Sequence, residues 1–268
     1  MHLRHCLLLA SACLLIGCGP KELTEEVIQT HPGGTKKTAI YFYGSRNNLR
    51  KIAMFYPGGQ LQSEHYFTRG KSKWGRPPVN DLLRALKIQA NVFPDSAAIV
   101  YYENGQKRSE TRFQEGRRHG KDMSWYENGQ IKSQVELVAG VPQGKSVRYH
   151  ENGTKAGETI YVDGQKNGEE RSWYEDGKEK LLTTYKNGNR NGLRKEWFPN
   201  GNPKIEETYT DNVLNGPYAT YHENGQKQEE GIYKMGRVEG TKRAWNERGK
   251  LIAEANYVNG ELESGRSF

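Results

Sequence analysis

The hexapeptide WYENGQ occupies residues 125–130, and related hexapeptides return every 24 residues from Tyr101 to the C-terminal region. Aligned on their glycine, the copies are YYENGQ from Tyr101, WYENGQ from Trp125, YHENGT from Tyr149, WYEDGK from Trp173, WFPNGN from Trp197, YHENGQ from Tyr221 and WNERGK from Trp245. With an earlier copy in FYPGG, the repeat-turn glycines are Gly59, Gly105, Gly129, Gly153, Gly177, Gly201, Gly225 and Gly249. A constant spacing without insertions from Gly105 onward indicates a repeat protein.

Each 24-residue unit is predicted to form one β-hairpin. Asn-Gly and Asp-Gly between alternating segments are hairpin signals, because glycine adopts positive φ without a steric penalty. We expect a three-residue loop such as 103–105, with Gly105 in the left-handed region, and a second, Gly-x-x-x-Gly loop that connects successive hairpins. The fold class is therefore all-β, an elongated antiparallel meander of hairpin repeats.

Aromatic residues recur four positions before the turn glycine (the early aromatics) and eight positions after it (the late aromatics). If the Gly-x-x-x-Gly loop is the midpoint of a connection, late and early aromatics face each other, as in Phe113 with Trp125 or Tyr233 with Trp245. Cross-strand aromatic pairs contribute on the order of 0.2 to 1 kcal/mol each. The predicted stripe comprises Phe113, Trp125, Tyr149, Tyr161, Trp173, Tyr185, Trp197, Tyr209, Tyr221, Tyr233, Trp245 and Tyr257.

The polar residues also repeat, which favours a structural role over a catalytic site, since catalysis needs unlike residues that converge once. Six glutamates share one offset and are expected to form ion pairs on the face opposite the stripe: Glu64, Glu110, Glu158, Glu206, Glu230 and Glu254. His150 and His222 lie three units apart, too far to share a metal ion. We therefore expect no enzyme activity, no cofactor and no metal.

Composition supports a thin sheet without a deep core. Of the 268 residues 34% are apolar, 10% are aromatic and 31 are glycine. Aromatic content of this size argues against simple disorder, because Tyr and Trp bury large areas. The formal charge of +8 comes from alternating signs without a long basic run, so nucleic acid is not an expected partner.

Residues 1–17 combine Arg4 with a short apolar segment, which is typical of a secretory signal. The junction Leu15-Ile-Gly-Cys18 resembles a bacterial lipobox, in which cleavage precedes the cysteine and its thiol carries a diacylglyceryl group. The resemblance implies a lipid anchor on Cys18 in the cell envelope. Gly19, in place of Asp, implies the outer membrane.

The remaining segments are less regular. Residues 18–37 are predicted to be the lipidated cysteine and a flexible tether, and residues 38–74 to be degenerate N-terminal repeats. Residues 75–98 contain Pro77-Pro78 and a stretch from Asp81 with helical spacing, so they are expected to be an irregular or short helical insertion. Two interpretations of residues 71–98 stay open, a degenerate repeat and an inserted docking helix. The regular repeats are assigned to residues 99–268.

The unit resembles the bacterial variant of the MORN repeat, through its aromatic-x-x-Asn-Gly core, the glutamate five residues on, the tyrosine eight on and the closing glycine pair. The residues that depart from this pattern are Leu137, Leu182, Gln134, and Asn246 and Arg248 in the last turn. The resemblance implies a β-meander without catalytic residues that contacts proteins or membranes, and some bacterial members are antitoxins or immunity proteins.

The leading functional hypothesis is a non-enzymatic, membrane-anchored lipoprotein whose ribbon is a protein-interaction scaffold. One alternative, suggested by the resemblance, is an immunity protein that neutralises a toxin. Another is the binding of peptidoglycan or other glycans through exposed Trp125, Trp173, Trp197 and Trp245.

Overall fold

A computed structural model describes residues 22–70, 81–88, 90 and 92–268. The predicted signal peptide and the lipidation site Cys18 lie outside these residues. The helices are a 3₁₀ turn at Arg46–Asn48 and α1 at Asp81–Ala85. The strands are β1 Leu23–Thr30, β2 Lys36–Tyr43, β3 Leu49–Phe55, β4 Leu61–Arg69, β5 Val92–Tyr101, β6 Lys107–Gln114, β7 Arg117–Trp125, β8 Ile131–Val138, β9 Val141–Tyr149, β10 Lys155–Val162, β11 Gln165–Trp173, β12 Glu179–Lys186, β13 Asn189–Trp197, β14 Pro203–Thr210, β15 Val213–Leu214, β16 Gly216–Tyr221, β17 Lys227–Lys234, β18 Arg237–Trp245, β19 Leu251–Val258 and β20 Glu261–Ser267.

All twenty strands belong to one open antiparallel sheet in which strands that follow each other in sequence pair, apart from β15 and β16. The short strands β15 and β16 both pair with β14, so they are two parts of one interrupted strand. The predicted fold class, an elongated antiparallel meander, is confirmed. At about 4.8 Å per strand the sheet extends over roughly 85 Å in the hydrogen-bonding direction.

The Asn-Gly turns have the geometry of a type I turn followed by a left-handed glycine. In the first of them Tyr102 N–H donates to Gln106 O over 2.8 Å, and Gly105 N–H donates to Tyr102 O over 3.0 Å. All eight repeat-turn glycines have φ between +74° and +93°. The loop is the three-residue one expected at 103–105, and its bonds match the type that ends in a glycine bulge.

The connection between repeats differs from the predicted Gly-x-x-x-Gly loop. Gln114 pairs with Arg117, so the turn contains only Glu115 and Gly116, with φ of +51° and +85°. Positive φ at both central residues is the signature of a type I′ turn, whose twist matches that of the flanking strands. The same pair of left-handed residues recurs at 139–140, 163–164, 187–188, 211–212, 235–236 and 259–260.

The second glycine of the expected loop lies within a strand, at a bulge opposite the preceding strand. Thr183 pairs with Arg194 but Tyr185 pairs with Arg190, so the residues around Gly192 are the extra ones. On its other side Gly192 pairs with Tyr209. Equivalent pairs join a glycine to a late aromatic, or to Leu137 in one repeat: Gly120 with Leu137, Gly144 with Tyr161, Gly168 with Tyr185, Gly216 with Tyr233 and Gly240 with Tyr257.

The predicted pairs of late with early aromatics are therefore wrong. Phe113 pairs with Arg118 on one side and with Ser96 on the other, and Trp125 pairs with Ile131. Ser96 takes the place of the bulge glycine, and it too has a left-handed φ of +70°. The midpoint argument failed because the type I′ turn ends before the second glycine.

The expectation of a flexible tether over residues 18–37 is wrong from Leu23 onward. Residues 23–30 form β1 and pair with β2 through a turn in which His31 N–H donates to Thr35 O. Ion pairs of Lys36 with Glu25 and of Arg46 with Glu26 join this hairpin and the following 3₁₀ turn. Backbone pairing with β2 orders a segment whose polar composition suggested a linker.

The insertion between β4 and β5 contributes to a small core at the N-terminal end of the sheet. Strand β5 begins at Val92, inside the segment that the sequence assigned to an irregular insertion. Leu83 of the short helix α1 is 7% exposed. It joins a cluster of buried residues formed by Ile40, Phe42, Leu49, Ile52, Phe67, Leu83 and Val92. Residues 81–85 are thus a short helix inside the segment expected to be an irregular or short helical insertion, and this helix covers the sheet of its own chain.

The bulge glycines are expected to be more sensitive to substitution than other strand glycines. Gly192→Ala would place a Cβ 3.3 Å from Thr184 Cβ at a φ of +109°. We expect it to lower the free energy of unfolding by about 1–2 kcal/mol, the cost of a left-handed conformation for a residue with a side chain. Urea unfolding followed by tryptophan fluorescence measures this.

Gly265→Ala is the control, because Gly265 is an exposed residue of β20 without a left-handed φ and its added Cβ would come no closer than 3.4 Å to another atom, Glu254 O. We expect a change within about 0.5 kcal/mol. Equal losses in both variants would contradict the special role of the bulge position.

Candidate interaction surface

The predicted aromatic stripe is divided between the two faces of the sheet. Glu206 and Tyr209 lie three residues apart in regular strand β14, so their side chains point to opposite faces. The Tyr221 hydroxyl donates to Glu206 Oε2 over 3.2 Å, which places this early aromatic on the glutamate side. We call that side the glutamate face, defined by the six repeated glutamates and the early aromatics. The opposite side, defined by the late aromatics, is the late-aromatic face.

Every one of the six repeated glutamates forms an ion pair. The pairs are Glu64 with Lys51, Glu110 with Lys107 and Arg112, Glu158 with Lys145 and Lys155, Glu206 with Lys195, Glu230 with Lys227 and Arg243, and Glu254 with Arg243 and Arg266. The predicted role of these carboxylates is thus observed. Their predicted position opposite the aromatics holds only for the late aromatics.

These ion pairs lower the pKa values of four of the glutamates, Glu110, Glu158, Glu206 and Glu254. Hydrogen bonds from Lys145 and Lys155 lower the pKa of Glu158, and the bond from Lys195 does the same to the pKa of Glu206. Burial, with the Glu64 carboxylate close by, raises the pKa of Tyr101 to about 12. Glu158 and Glu206 are therefore charged and Tyr101 is neutral at physiological pH.

Lysines cover several of the tryptophans that were candidates for glycan stacking. The ammonium groups of Lys107, Lys155 and Lys227 lie 5.7, 5.1 and 5.7 Å from the ring centroids of Trp125, Trp173 and Trp245. Each of these contacts is within the range of a cation–π interaction. Three of the four tryptophans therefore have a ring face occupied by the chain itself.

The late-aromatic face has cations and a ring pair of its own. Lys166 lies 4.8 Å from the ring of Tyr185, and Arg190 lies 4.2 Å from the ring of Tyr209. Tyr218 and Tyr233 have ring centroids 4.7 Å apart, and theirs is the one aromatic pair within the described part of the chain. Tyr209 and Tyr218 are buried although the sheet is a single layer.

A second ring in each turn, which the sequence analysis did not assign, joins successive repeats. The residue after the early aromatic hydrogen-bonds to the carbonyl of the next early aromatic, 23 residues on. Hydroxyl donors at 2.8–2.9 Å over this spacing are Tyr102, Tyr126 and Tyr174. Tyr56 makes the same bond over 3.0 Å to Tyr101 O, 45 residues on, because the irregular segment lies between them. His150 and His222 make the same contact through Nε2, at 2.9 Å from Trp173 O and Trp245 O.

The turn asparagines form a parallel set of contacts. Asn104 Nδ2 donates to Glu127 O over 3.1 Å, while its Oδ1 accepts from Gln106 N–H over 2.9 Å. The same bonds between turns recur at Asn128, Asn152, Asn200 and Asn224. Two kinds of side chain that recur every 24 residues, Tyr or His and Asn, therefore form hydrogen bonds from one repeat to the next.

The described residues contain no convergent set of side chains suited to catalysis. They contain no cluster of three or more His, Cys, Asp or Glu that could hold a metal ion. They also contain no helix long and apolar enough to span a bilayer. Burial lowers the pKa of His65, which keeps that imidazole neutral. His150 and His222, which share an offset, each form a hydrogen bond to the next repeat.

The comparison with known families agrees with this repeat. Six segments match the MORN repeat variant family. They are residues 95–115, 118–138, 166–187, 190–211, 214–235 and 238–259. Each of the six segments ends at the first residue of a two-residue turn or one residue before it. Each match therefore covers one observed hairpin. No curated protein matches the sequence of the chain.

Similarity to solved structures is remote. The TCP10 domain of Danio rerio CPAP, in complex with a peptide of Danio rerio STIL, is 15% identical, with a TM-score of 0.28 and coverage of 88% of this chain and 100% of that one. The Photorhabdus luminescens Tc holotoxin pore is 11% identical, with a TM-score of 0.22 and coverage of 83% of this chain and 13% of that one. Neither score supports a functional argument.

The hydrogen bonds from the ring after each early aromatic to the next repeat predict opposite effects for two substitutions. Tyr126→Phe removes the 2.8 Å bond to Tyr149 O and should lower the free energy of unfolding by about 0.5–1.5 kcal/mol. Phe198 occupies the same repeat position without a hydroxyl. Phe198→Tyr should supply the missing bond to Tyr221 O and raise stability by a similar amount. Urea unfolding of both variants tests the pair, and a Phe198→Tyr chain less stable than wild type would contradict it.

The ion pairs predict loss of stability in acid. The pKa of folded Glu158 lies below its unfolded value, so its contribution is fully present above about pH 4.3 and is lost as pH falls through the folded pKa. Thermal unfolding between pH 6 and pH 3 should therefore show a smaller pH-dependence for Glu158→Gln than for wild type. Glu175→Gln, at an exposed turn residue, is the control and should retain the wild-type slope.

Proposed function

We propose that the chain is a non-enzymatic scaffold whose long sheet presents its two faces to a protein partner. The observation that supports this most strongly is repetition itself: the same ring, asparagine and glutamate contacts recur every 24 residues. Such contacts produce an extended regular surface, and within the described residues they leave no place where catalytic groups of different kinds converge. MORN repeats in general suggest interaction scaffolds of this type, for proteins or membranes.

The proposal includes membrane attachment through a lipid on Cys18, in the bacterial envelope and at the outer membrane. Support comes from the lipobox-like junction Leu15–Cys18 and the short apolar segment before it. Strand β1 begins at Leu23, so only residues 19–22 separate the anchor from the sheet. A fully extended link of this length reaches at most about 17 Å. The N-terminal end of an anchored sheet would therefore lie within about 17 Å of the anchor.

Glycan binding receives less support, since lysines occupy a ring face of three of the four tryptophans. An immunity function remains the specific form of the scaffold hypothesis in which the partner is a toxin. These possibilities differ in the partner that the chain retains, so one binding experiment separates them.

The experiment uses the full-length lipidated chain, purified in mild detergent, with envelope proteins and purified sacculi from the source organism. We expect one protein to be retained near stoichiometry and to bind again when both are purified. Toxicity of that protein when expressed alone, relieved by the chain, would identify an immunity pair. Retention by sacculi without any protein partner would contradict the scaffold proposal.

Anchoring is tested separately. Cys18→Ala should move the chain from the membrane fraction to the soluble fraction and leave its circular dichroism spectrum unchanged. A wild-type chain that incorporates no labelled fatty acid would contradict lipid attachment at Cys18.

A further inference from the structure

One cavity on the late-aromatic face is lined by cations and by no carboxylate. It is a shallow groove of ≈ 510 Å³ beside the Asn-Gly turns, and we call it the His150 groove. Its lining includes Tyr126, Lys132, Arg148, His150 and Lys180, and contains no Asp or Glu. The groove therefore carries three formal positive charges.

The groove exists because the repeat changes at His150. In the preceding repeat Lys132 lies 5.3 Å from the ring centroid of Tyr126, six residues before it. Lys180 makes the same contact two repeats later, at 5.4 Å from the equivalent tyrosine. In the repeat between them the ring is His150, and the residue six places on is Ala156. A methyl group in place of a long cation leaves space between the two lysines.

Arg148 forms the floor of the groove. Its neighbour Val147 pairs with Glu158 of the glutamate face, so the side chain of Arg148 lies on the opposite face. Arg148 pairs across the strands with Gly157, which is buried. A Cβ at Gly157 would lie 3.0 Å from Arg148 Nη2, so the guanidinium group lies over the glycine, against the sheet. The equivalent residues one repeat earlier and one repeat later are serines.

The positive charge of the groove is not compensated by the described part of the chain. Lys132, Arg148 and Lys180 are exposed, and none of them forms an ion pair with a described residue. On the same face of β11 the carboxylate of Glu170 is bound to Lys166, 2.7 Å away. The exposed glutamates of the neighbouring Asn-Gly turns make no ion pair with the three cations either. The groove is therefore free to bind an anionic group.

The same groove recurs three repeats later with the opposite charge. The cavity at His222 has Thr220 in place of the arginine, and its lining contains Glu229 and Glu247 without any Lys or Arg. Both histidines make the same contact to the next repeat. The cationic lining is therefore a property of the side chains at the His150 groove and not of the fold.

The three cations are spread along the groove. Lys132 lies on β8, Arg148 on β9 and Lys180 on β12. Four strand spacings separate β8 from β12, a distance of about 19 Å. A small anion occupies one point of this span. An extended peptide segment covers it with about six residues, at about 3.3 Å each, and can carry several carboxylates.

We propose that the His150 groove binds an acidic segment of the protein partner. One carboxylate of the segment accepts two hydrogen bonds from the Arg148 guanidinium, since the planar fork of arginine matches a carboxylate. Further carboxylates lie within reach of Lys132 and Lys180, towards the two ends of the groove. The proposal deepens the scaffold function and rests on it for the identity of the ligand as a protein segment.

The direct test is a titration of the full-length chain, in a non-ionic detergent at moderate salt, with the peptide acetyl-Glu-Gly-Glu-Gly-Glu-amide. Methyl NMR signals of labelled alanines report on both grooves, because Ala156 lines the His150 groove and Ala244 lines the cavity at His222. We expect a saturable shift of Ala156 and no shift of Ala244. The same peptide with glutamine in place of glutamate should bind at least tenfold more weakly. Absence of a saturable Ala156 shift, or equal affinity for both peptides, would overturn the proposal.

Glycerol 1-phosphate distinguishes a phosphate-bearing ligand, such as a lipid headgroup, from a peptide. We expect it to bind more weakly than the acidic peptide, because it reaches only part of the span between Lys132 and Lys180. Equal or tighter binding of glycerol 1-phosphate would assign the groove to phosphate groups and overturn the proposal.

Substitutions in the groove test its geometry, with binding followed by fluorescence anisotropy of the acidic peptide carrying a neutral dye. Arg148→Gln removes the central charge, and Ala156→Leu fills the space without a change of charge. Each should weaken binding at least tenfold. Lys204→Gln is the matched control, because Lys204 occupies the position of Lys180 one repeat later, over the ring of Phe198 and outside the groove. Its affinity should equal that of wild type.

Circular dichroism spectra check that the variants fold. If either groove variant alters the spectrum, Lys132→Gln with Lys180→Gln tests the site at two exposed positions and should give the same loss of binding. Unchanged binding in the groove variants, or an equal loss in Lys204→Gln, would contradict the proposal.

The two proposals can fail separately. A partner that binds wild type and Arg148→Gln equally well would show that the scaffold function stands and that the assignment of the His150 groove is wrong. Saturable binding of the acidic peptide by a chain that retains no protein would support the preference of the groove for acidic segments and contradict the scaffold function.

Discussion

Register between neighbouring strands is the constraint on which this sheet depends, because a single layer has no opposing layer to correct a slip. A shift of one residue would move every side chain to the other face. Each repeat sets the register with left-handed residues in three places: the Asn-Gly turn, the two-residue type I′ turn and the bulge glycine. The late aromatic opposite that bulge, such as Tyr209 opposite Gly192, adds the packing that glycine cannot supply.

Stability beyond register comes from contacts between repeats. Rings such as Tyr126 and asparagines such as Asn128 join each turn to the next, and ion pairs such as Glu158 with Lys145 cross the strands. None of these contacts needs a thick core. The exception is the N-terminal end, where α1 and its neighbours bury Leu83 against β2–β5. Helix α1 covers the sheet only at that end. Both faces of the later repeats are therefore accessible, as the proposed scaffold function requires.

The sequence was sufficient to predict the fold class, the three-residue Asn-Gly loop and the ion pairs of the glutamates, since each of these follows from residues at fixed offsets. The connecting turn was not predicted correctly, because Gly116 and Gly120 look equivalent in sequence while one ends a turn and the other forms a bulge. That error placed Phe113 opposite Trp125 and both aromatic rows on one face.

The register of β6 against β7 is the most direct test of the account. Cysteines at Glu110 and Met123, which are paired residues, should form a disulfide in a chain whose three native cysteines are replaced by serine. Directly opposed residues have Cβ atoms about 4.5–5.5 Å apart, close to the separation that a disulfide needs. Cysteines at Phe113 and Trp125 should remain reduced. A disulfide at 113 and 125, with free thiols at 110 and 123, would contradict the type I′ turn, the bulge and the division of the aromatics between two faces.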